Sequence, residues 1–543
     1  MRFFLSAASG IGLHKRPPMI YTFKFFSLFL VVVSLAGACT KVGPNFTRPE
    51  TEVSLGWREA EDKRLVHDPV DYRNWWRVFN DPVLDGLIER AYRDNLSLRI
   101  AGVRVLEARA QLGIAVGEFY PQTQQVSGSL QYNRVSERSV AGLALSQFTY
   151  AQDQIGVGAS WELDFWGKFR RAIESANAAW LATVADYDSV LVSLTADVAN
   201  TYVLIRTLEK RTEIARENVE AQKEALKIAE ARFEHGTTSR LDVEQARTVL
   251  NNTLASIPAL EGQLGQAKNA LCLLLGLPPS DLSDLLAREK GIPISPLQVA
   301  VGIPADLLRR RPDIRSAERQ AEAQSALIGV AKADLYPAFS LSGFFGFLST
   351  NVGNFSLGDI FQWKSRTFQI GPSVQWNFLN YGQITNNVRV QDARLEQLLI
   401  AYQNAVLKAQ QEVEDALVAF LRAQERAEFL ASSTASAKNS LDLAVLQYRV
   451  GTKDFTTVLT AQQALLSEQD SLAVTLGNIS SSLVGVYRAL GGGWEVREGK
   501  DLLPPEVKEA MARRTNWGGL LAPASYNPSP SAEPKSGVRL PDW

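Results

Sequence analysis

The sequence predicts an α+β membrane protein in which each chain gives four strands to a trimeric, twelve-stranded β-barrel and also forms long coiled-coil helices. Three observations lead to this fold. One pattern occurs twice along the chain, each copy contains two segments of alternating apolar and polar residues, and each copy contains a very long helical pattern. Alternation is typical of strands, whereas apolar spacings of three and four are typical of helices.

Composition excludes several classes of function. The 57 Lys and Arg are balanced by 58 Asp and Glu, so the chain has no basic excess with which to bind nucleic acid. It contains three histidines and two cysteines without a CxxC pair, which disfavours metal and thiol-disulfide sites. No GxSxG, HExxH, complete P-loop or dinucleotide fingerprint occurs in it. The sequence therefore predicts no enzyme, no cofactor and no metal site.

The N-terminal residues 1–38 have the pattern of a signal peptide. They carry four basic residues, no acidic residue and a mostly apolar run from Phe25 to Val33 that is too short to span a bilayer. The true start is either Met1 or Met19, because both give signal-peptide proportions. The small residues before Cys39 resemble the lipobox of bacterial lipoproteins, which predicts a lipid-modified Cys39; the alternative is an ordinary signal cut that leaves this cysteine unmodified.

An internal repeat organises the rest of the chain. The first unit spans about residues 83–276 and the second about 304–491, joined by a connector at 277–303. Residues 39–82 form the lipidated N-terminal segment, and residues 492–543 form a C-terminal segment with a Pro- and Ser-rich tail. The landmarks that recur at a nearly constant offset are Tyr120-Pro121 and Tyr336-Pro337, Phe233 and Tyr448, Gly236-Thr237 and Gly451-Thr452, and Gly276 and Gly491.

Each unit contains one exceptionally long helical pattern, over about 168–234 and about 383–449. Apolar residues at spacings of three and four form a coiled-coil seam along both. At 1.5 Å per residue each helix would be about 100 Å long. Gly236 and Gly451 are predicted to end these helices. Shorter helices are expected at about 83–118, 241–275, 304–334 and 456–490.

Two β-hairpins are expected, near 124–165 and near 338–379. Their strands have one apolar face and one small, polar face, the pattern of a transmembrane β-barrel; a soluble sandwich strand with a wetted face is the alternative. Four strands cannot close, and an open edge inside hydrocarbon leaves backbone groups unpaired. Three chains give 3 × 4 = 12 strands, which predicts a trimer with a wet lumen.

The polar strand face is predicted to line this lumen. Pro372 interrupts the last strand, and because proline lacks a ladder donor we expect a bulge or an unpaired position there. The predicted lumen residues are Ser127, Ser129, Gln131, Asn133, Glu162, Asp164, Gln369 and Gln375.

These motifs together resemble the TolC family of outer-membrane efflux channels, in particular its NodT-like lipoprotein branch associated with resistance-nodulation-division pumps. The resemblance spans about residues 39–495. It implies a passive channel: a trimeric barrel in the outer membrane that continues into the periplasm as a coiled-coil tunnel, with a periplasmic adaptor, an inner-membrane pump and outer-membrane lipid as partners. The matching motifs include Val42-Gly43-Pro44-Asn45-Phe46, Tyr120-Pro121, Asp164-Phe165-Trp166-Gly167, Arg310-Arg311-Pro312-Asp313-Ile314, Tyr336-Pro337 and Gly451-Thr452 before Ala461-Gln462.

The resemblance also implies a role for the two helix-turn tips, residues 235–243 and 450–458, which would face the adaptor and constrict the tunnel. Family members often carry a carboxylate ring just before the position of Ala461-Gln462. This chain has Thr460 there and Thr456 one turn earlier, so the resemblance does not carry an aspartate ring to that place, and Asp242 and Asp454 are the nearby substitutes. The alternative is that Gly236 and Gly451 simply cap their helices and that the polar tip residues only stabilise the turns. The predicted tip and aperture residues are Gly236, Thr237, Ser239, Asp242, Gly451, Thr452, Asp454, Phe455, Thr456 and Thr460.

A rival interpretation is a periplasmic coiled-coil lipoprotein that acts as a scaffold or as the adaptor itself. An adaptor would carry one helical hairpin inserted in a lipoyl-like β domain, which two matched units with four amphipathic strands fit poorly. A channel predicts a trimer in detergent-extracted outer membrane and ion conductance in bilayers, whereas a scaffold predicts neither.

Overall fold

The computed structural model describes residues 41–54, 56–66, 72–138, 147–287, 291–301 and 310–527. The predicted signal peptide, Cys39 and the end of the Pro- and Ser-rich tail lie outside the described residues. No helix among the described residues is long and apolar enough to cross a membrane.

Helices make up most of the described chain. The two long helices have the predicted bounds, because their apolar seams continue without proline until a glycine ends each. The helices are α1 Pro82–Asp94, α2 Leu96–Gly117, α3 Lys168–Glu234, α4 Arg240–Leu274, α5 Ser283–Leu286, α6 Pro312–Ala333, α7 Gln383–Arg449, α8 Phe455–Ala489, α9 Pro505–Arg514 and α10 Pro523–Tyr526.

The single helix expected at 83–118 is wrong, because Asn95 divides it into α1 and α2. The Asn95 backbone is extended, and its side-chain oxygen accepts a hydrogen bond from the Leu98 amide at 2.8 Å. Asparagine is one of the residues that cap a helix in this way. The side-chain amide of Asn95 also donates to the Leu274 carbonyl at 2.9 Å and so satisfies the end of α4.

The strands form two sheets. A short parallel pair joins Leu65–Val66 of the N-terminal segment to Val299–Ala300 within the connector. The other four strands form an antiparallel sheet with the order β2-β3-β5-β6. Register is continuous from β5 to β6, with Pro372 opposite Leu341, so the bulge is wrong and the other expectation, an unpaired position, remains. Strand β6 is at the edge, where proline is tolerated because one side of the backbone has no partner within the chain. The strands are β1 Leu65–Val66, β2 Thr123–Arg134, β3 Thr149–Leu163, β4 Val299–Ala300, β5 Ala338–Thr350 and β6 Arg366–Gln375.

The described chain divides into two compact units. The sheet unit comprises the described residues up to Asn45 together with 117–173 and 326–391, and the helical unit comprises 46–116, 174–325 and the remainder from residue 392. Each of the two predicted sequence units contributes to both, since strands from both join one sheet.

The N-terminal motif Val42-Gly43-Pro44-Asn45-Phe46 begins with a close approach of backbone inside the sheet unit. Gly43 has φ +92°, and a β-carbon there would collide with the backbone of Gly329 in α6. The Arg171 guanidinium in α3 donates to the Val42 carbonyl at 3.1 Å and to the Asn45 side chain at 2.9 Å. The motif therefore needs glycine at this position because only glycine fits the conformation and the space.

Candidate channel surfaces

The register of the four-stranded sheet brings the predicted lumen residues of its strands to one face. Directly opposed residues in an antiparallel sheet share a face. Ser127 is opposite Gly156, Glu162 is opposite Ser340, and Gln369 is opposite Phe344. The residues on this polar face include Ser127, Ser129, Gln131, Asn133, Glu162, Gln369 and Gln375.

The other face of the sheet is apolar and uncovered by described residues of the chain. Val126, Leu130 and Ile370 expose 75%, 74% and 71% of their surface. Exposure of this size on one continuous face is typical of a surface that contacts something other than water. Further members of this apolar face are Tyr132, Ile155, Val157, Leu341, Phe345, Phe368 and Val374.

Asp164 does not belong to the polar face, which corrects the prediction. It follows the last residue of β3 and has a nearly buried side chain. Its carboxylate accepts hydrogen bonds from the Phe169 and Arg170 amides at 3.0 and 3.1 Å and from the Arg170 guanidinium at 2.8 Å. A carboxylate at the start of a helix is stabilised by the free amides there, so Asp164 holds the start of α3.

The polar face also carries an aromatic residue, Phe344, that was not predicted from the sequence. Phe344 is opposite Gly158, and its ring lies over Gly156 and Gly346, where a β-carbon would collide with or crowd the ring. Because glycine leaves room beneath it, the ring can lie against the sheet. The signal that could have found it is the set of glycines on the neighbouring strand beside a phenylalanine on the polar face.

Indole groups join one end of the sheet to the residues around the two Tyr-Pro motifs. Trp161 of β3 donates to the Phe119 carbonyl at 3.1 Å, and Trp376, just after β6, donates to the Leu335 carbonyl at 3.1 Å. Trp166 stacks on Tyr336 with ring centroids 4.6 Å apart and donates to the Pro337 carbonyl at 2.8 Å. The paired motifs thus lie where helices change into strands.

The two helix-turn tips have the same backbone design. Gly236 has φ +70° and open space where a β-carbon would lie, and Gly451 has φ +79° with the Arg232 guanidinium 4.0 Å from that point. The Thr237 amide donates to the Arg232 carbonyl at 2.9 Å, and the Thr452 amide donates to the Gln447 carbonyl at 3.0 Å. These bonds end α3 and α7 as Schellman caps, which require a left-handed residue.

An aspartate lies at the start of each helix that follows a tip, Asp242 in α4 and Asp454 before α8. Asp454 caps α8 by accepting from the Thr457 amide at 3.3 Å and from the Thr457 hydroxyl at 2.8 Å. The hydrogen bonds from Thr457 lower the pKa of Asp454. At the other tip Asp242 accepts from the hydroxyls of Thr238 and Ser239. Both aspartates therefore have local capping partners.

Phe455 is buried, which corrects its assignment to the exposed tip. Only 1% of its surface is exposed, and its ring centroid is 5.0 Å from that of Tyr448. Arg232 of the other tip lies over the Tyr448 ring at 4.5 Å and donates to the Tyr448 carbonyl. A shared apolar core therefore joins the two tips. Thr456 and Thr460 remain exposed, and the Thr460 hydroxyl donates to the Thr456 carbonyl at 2.9 Å.

A buried ion cluster in the helical unit was also missed by the sequence analysis. Asp188 of α3 is fully buried and accepts from the Arg497 guanidinium at 3.2 Å and from Arg315 of α6 at 2.6 Å. Burial raises the pKa of Asp188, and the two arginines oppose this shift. Arg497 also donates to the Asn527 side chain at 2.8 Å, so the cluster ties the C-terminal segment to α3. No local motif indicates it, because the partners are far apart in sequence.

The described residues contain no group of three or more His, Cys, Asp or Glu side chains that could hold a metal ion. Cys272 is buried in α4, and its sulfur accepts a hydrogen bond from the Ser280 amide at 3.4 Å. This cysteine packs as a small apolar side chain with a local partner.

Comparison with known proteins gives concordant matches. A family model described as "Outer membrane efflux protein" matches residues 87–277 and 303–492. The chain is 30% identical over 474 residues to Nodulation protein T of Rhizobium leguminosarum bv. trifolii, which covers 87% of this chain and 97% of that protein. It is 30% identical to Pyoverdine export outer membrane protein OpmQ of Pseudomonas aeruginosa, covering 85% and 97%. The solved outer-membrane channel OprN matches with 31% identity and a TM-score of 0.78, covering 84% of this chain and 100% of that one.

Proposed function

We propose that three copies of this chain form one export conduit. The proposal proceeds from the family: the chain belongs to the outer membrane efflux proteins, which are the passive outer-membrane channels of tripartite efflux systems. Twelve strands from three chains close the barrel, and the long helices continue it into the periplasm as a tunnel. The observation that carries the trimer is the open sheet: β2 and β6 are both edges, and the apolar face between them is uncovered within the described chain. An unpaired edge inside hydrocarbon costs several kcal/mol per backbone group, so the edges need further strands.

The polar face lines the lumen in this assembly, and the apolar face contacts lipid. Ser127, Ser129, Gln131, Asn133 and Gln369 give the conduit a hydrated wall of mostly uncharged polar groups, with Glu162 as a charged member, and such a wall suits small molecules of varied chemistry. The name of the relative OpmQ describes pyoverdine export, which is the kind of small, soluble cargo that such a wall accepts.

The tips are the proposed contact with a periplasmic adaptor, which in turn connects the channel to an inner-membrane pump. The exposed tip residues Gly236, Thr237, Gly451, Thr452 and Thr456 support this, because their side chains and backbone turns are open to solvent. Thr456 and Thr460 form the aperture in place of a carboxylate ring. The energy for export comes from the pump, since the channel itself carries out no reaction.

The two units 83–276 and 304–491 are proposed structural repeats. Equal helix lengths support this: α3 and α7 both have 67 residues, and α4 and α8 both have 35. We also propose that Cys39 is lipid-modified after removal of residues 1–38, and that residues 39–82 connect this anchor to the first repeat.

Adjacent residues of β6 provide the test, because Gln369 and Ile370 point to opposite faces. Ile370→Arg places a charge on the lipid face, which costs about 2–4 kcal/mol near the membrane midplane, and we expect loss of the heat-sensitive trimer from the outer membrane. Gln369→Arg should leave the trimer intact and change the ion selectivity of its conductance in planar bilayers. The scaffold interpretation predicts a soluble periplasmic monomer and equal tolerance of both variants, and that result would refute the channel.

A further inference from the structure

The loop between β5 and β6 exposes three large aromatic side chains. Phe355, Phe361 and Trp363 are exposed by 70%, 77% and 66%. Single exposed apolar residues are ordinary on protein surfaces, but a group of three in one short loop is typical of an interaction site.

The loop is held in place by its own hydrogen bonds. Ser356 and Asp359 form a capping box, and the Ser365 hydroxyl donates to the Asp359 carbonyl at 2.7 Å. The Ser349 hydroxyl of β5 donates to the Ser356 carbonyl at 2.8 Å, and Asn351 accepts from the Ala151 amide of β3 at 2.7 Å. The aromatic side chains are therefore presented by a defined turn that is attached to the end of the sheet.

This loop lies at the border of the apolar face. Arg366 begins β6 opposite Phe347, and it therefore shares a face with Phe347 and Phe368. Its guanidinium carbon is 4.9 Å from the Trp363 ring centroid, and the guanidinium donates to the Trp363 carbonyl at 2.8 Å. The strand ends joined by this loop are those away from Tyr336-Pro337.

Two cations accompany the aromatic residues. Neither Lys364 nor Arg366 has a carboxylate within 4 Å among the parts of the chain that are described. Asp359, the acidic residue of the loop, accepts hydrogen bonds from the Ser356 amide and the Gln362 side chain. The loop thus combines exposed rings with positive charge that no carboxylate of the described residues pairs with.

We propose that residues 355–366 bind a phosphate-bearing glycolipid of the outer leaflet. This inference rests on the proposed barrel, in which the apolar face contacts lipid and the loop end faces outward. Aromatic rings are favoured at the boundary between hydrocarbon and headgroups. Lys364 and Arg366 lie beside them, where phosphate oxygens accept charge-assisted hydrogen bonds from both. The lipid would hold the channel at a fixed depth and rotation in the membrane.

The test uses full-length trimer extracted from the outer membrane and placed in nanodiscs. Bisphosphorylated lipid A is the probe, dephosphorylated lipid A is the comparison lipid, and bound lipid is counted by native mass spectrometry. We expect the pair Lys364→Gln and Arg366→Gln to weaken binding of the phosphorylated probe on the order of tenfold, since each cation near such a surface contributes measurably. The pair Phe361→Ser and Trp363→Ser should weaken binding of both lipids.

A matched control removes two lysines from the long helices, Lys227→Gln and Lys438→Gln, and should leave binding unchanged. Equal binding of phosphorylated and dephosphorylated lipid by the unaltered trimer would overturn the proposal, as would unchanged binding by the Lys364 and Arg366 variant. Trimer on unheated gels and conductance are recorded for every variant. If the unaltered protein gave neither a trimer on unheated gels nor conductance, the channel itself would be refuted. If it gave both but bound the two lipids equally, only the lipid site would be refuted.

Discussion

The helices α3 and α7 have equal lengths and similar apolar seams, yet the chain buries them differently. Ile214 and Phe429 stand at the same distance from their helix starts, but Ile214 is 6% exposed and Phe429 is 76% exposed. Buried residues occur along α3 from Phe169 to Ala229, whereas those of α7 fall between Tyr402 and Leu421 and again at Ala444 and Tyr448.

The difference arises from the neighbours of each helix. Arg211 of α3 pairs with Asp470 of α8 at 2.7 Å, and Arg216 pairs with Glu261 of α4 at 2.7 Å. Helix α3 thus has described neighbours on two sides. The second half of α7 instead exposes Phe429 and Leu443. An apolar seam in the sequence therefore predicts that one face of a helix will be buried. It does not predict whether the residues that bury it belong to the same chain. In the proposed trimer a second copy covers α7.

The largest expected effect is at Asp188 of α3. Asp188→Ala would leave the buried Arg497 without its carboxylate, and breaking a buried pair in this way costs about 3–5 kcal/mol of unfolding free energy. Gln403 stands at the same distance along α7 and is exposed, so Gln403→Ala should change stability by less than about 0.5 kcal/mol. Denaturant unfolding of both variants measures this. Equal losses of unfolding free energy would show that α3 and α7 do not differ in burial at this position.

The pair Ile214→Asp and Phe429→Asp separates burial within the chain from burial between chains. A charge at Ile214 enters the core, and we expect a loss of about 3 kcal/mol or more together with loss of the folded chain from the membrane. A charge at Phe429 should leave the helical content unchanged but dissociate the trimer on unheated gels. If Phe429→Asp remained trimeric, a second copy would not be the cover of α7.

The ends of the two helices should behave alike, in contrast to their middles. Gly236→Ala and Gly451→Ala each place a β-carbon on a left-handed residue without a steric clash, at a cost of about 1–2 kcal/mol. Hydrogen exchange of the tip amides should rise to a similar extent in both. Markedly unequal effects would show that one tip has a constraint beyond its own cap.

The smallest effect concerns the pH dependence of the second tip. The folded pKa of Asp454 is lowered from its ordinary value of 3.8 by Thr457. A lowered carboxyl pKa contributes stability above the ordinary value, and this contribution disappears as the pH falls through the folded value. Protection of the amides at the tip after α7, measured relative to the intrinsic exchange rate at each pH, should therefore fall as the pH drops through the folded pKa of Asp454. The variant Asp454→Asn should remove this dependence, and its persistence would assign the titration to another group.

Hydrophobic periodicity in the sequence predicted much of the fold. Helices and strands repeat their side-chain directions every 3.6 and every 2 residues. Periodicity therefore predicted the bounds of α3 and α7, the two hairpins and the polar face around Ser129. Single positions were harder to predict. Asn95 divides a helix, Asp164 caps one, and Phe455 enters a core, since each depends on one hydrogen bond or one packing partner that periodicity does not encode.

Periodicity thus predicted which segments are helices and which are strands, the lengths of the two long helices, and the separation of polar from apolar faces. Which faces are covered within the chain became visible in the fold, where Ile214 and Asp188 are buried and Phe429 and Ile370 are exposed. The physical reason is that amphipathicity depends on neighbours along one segment, whereas burial depends on which segments, from this chain or another, come to lie against it.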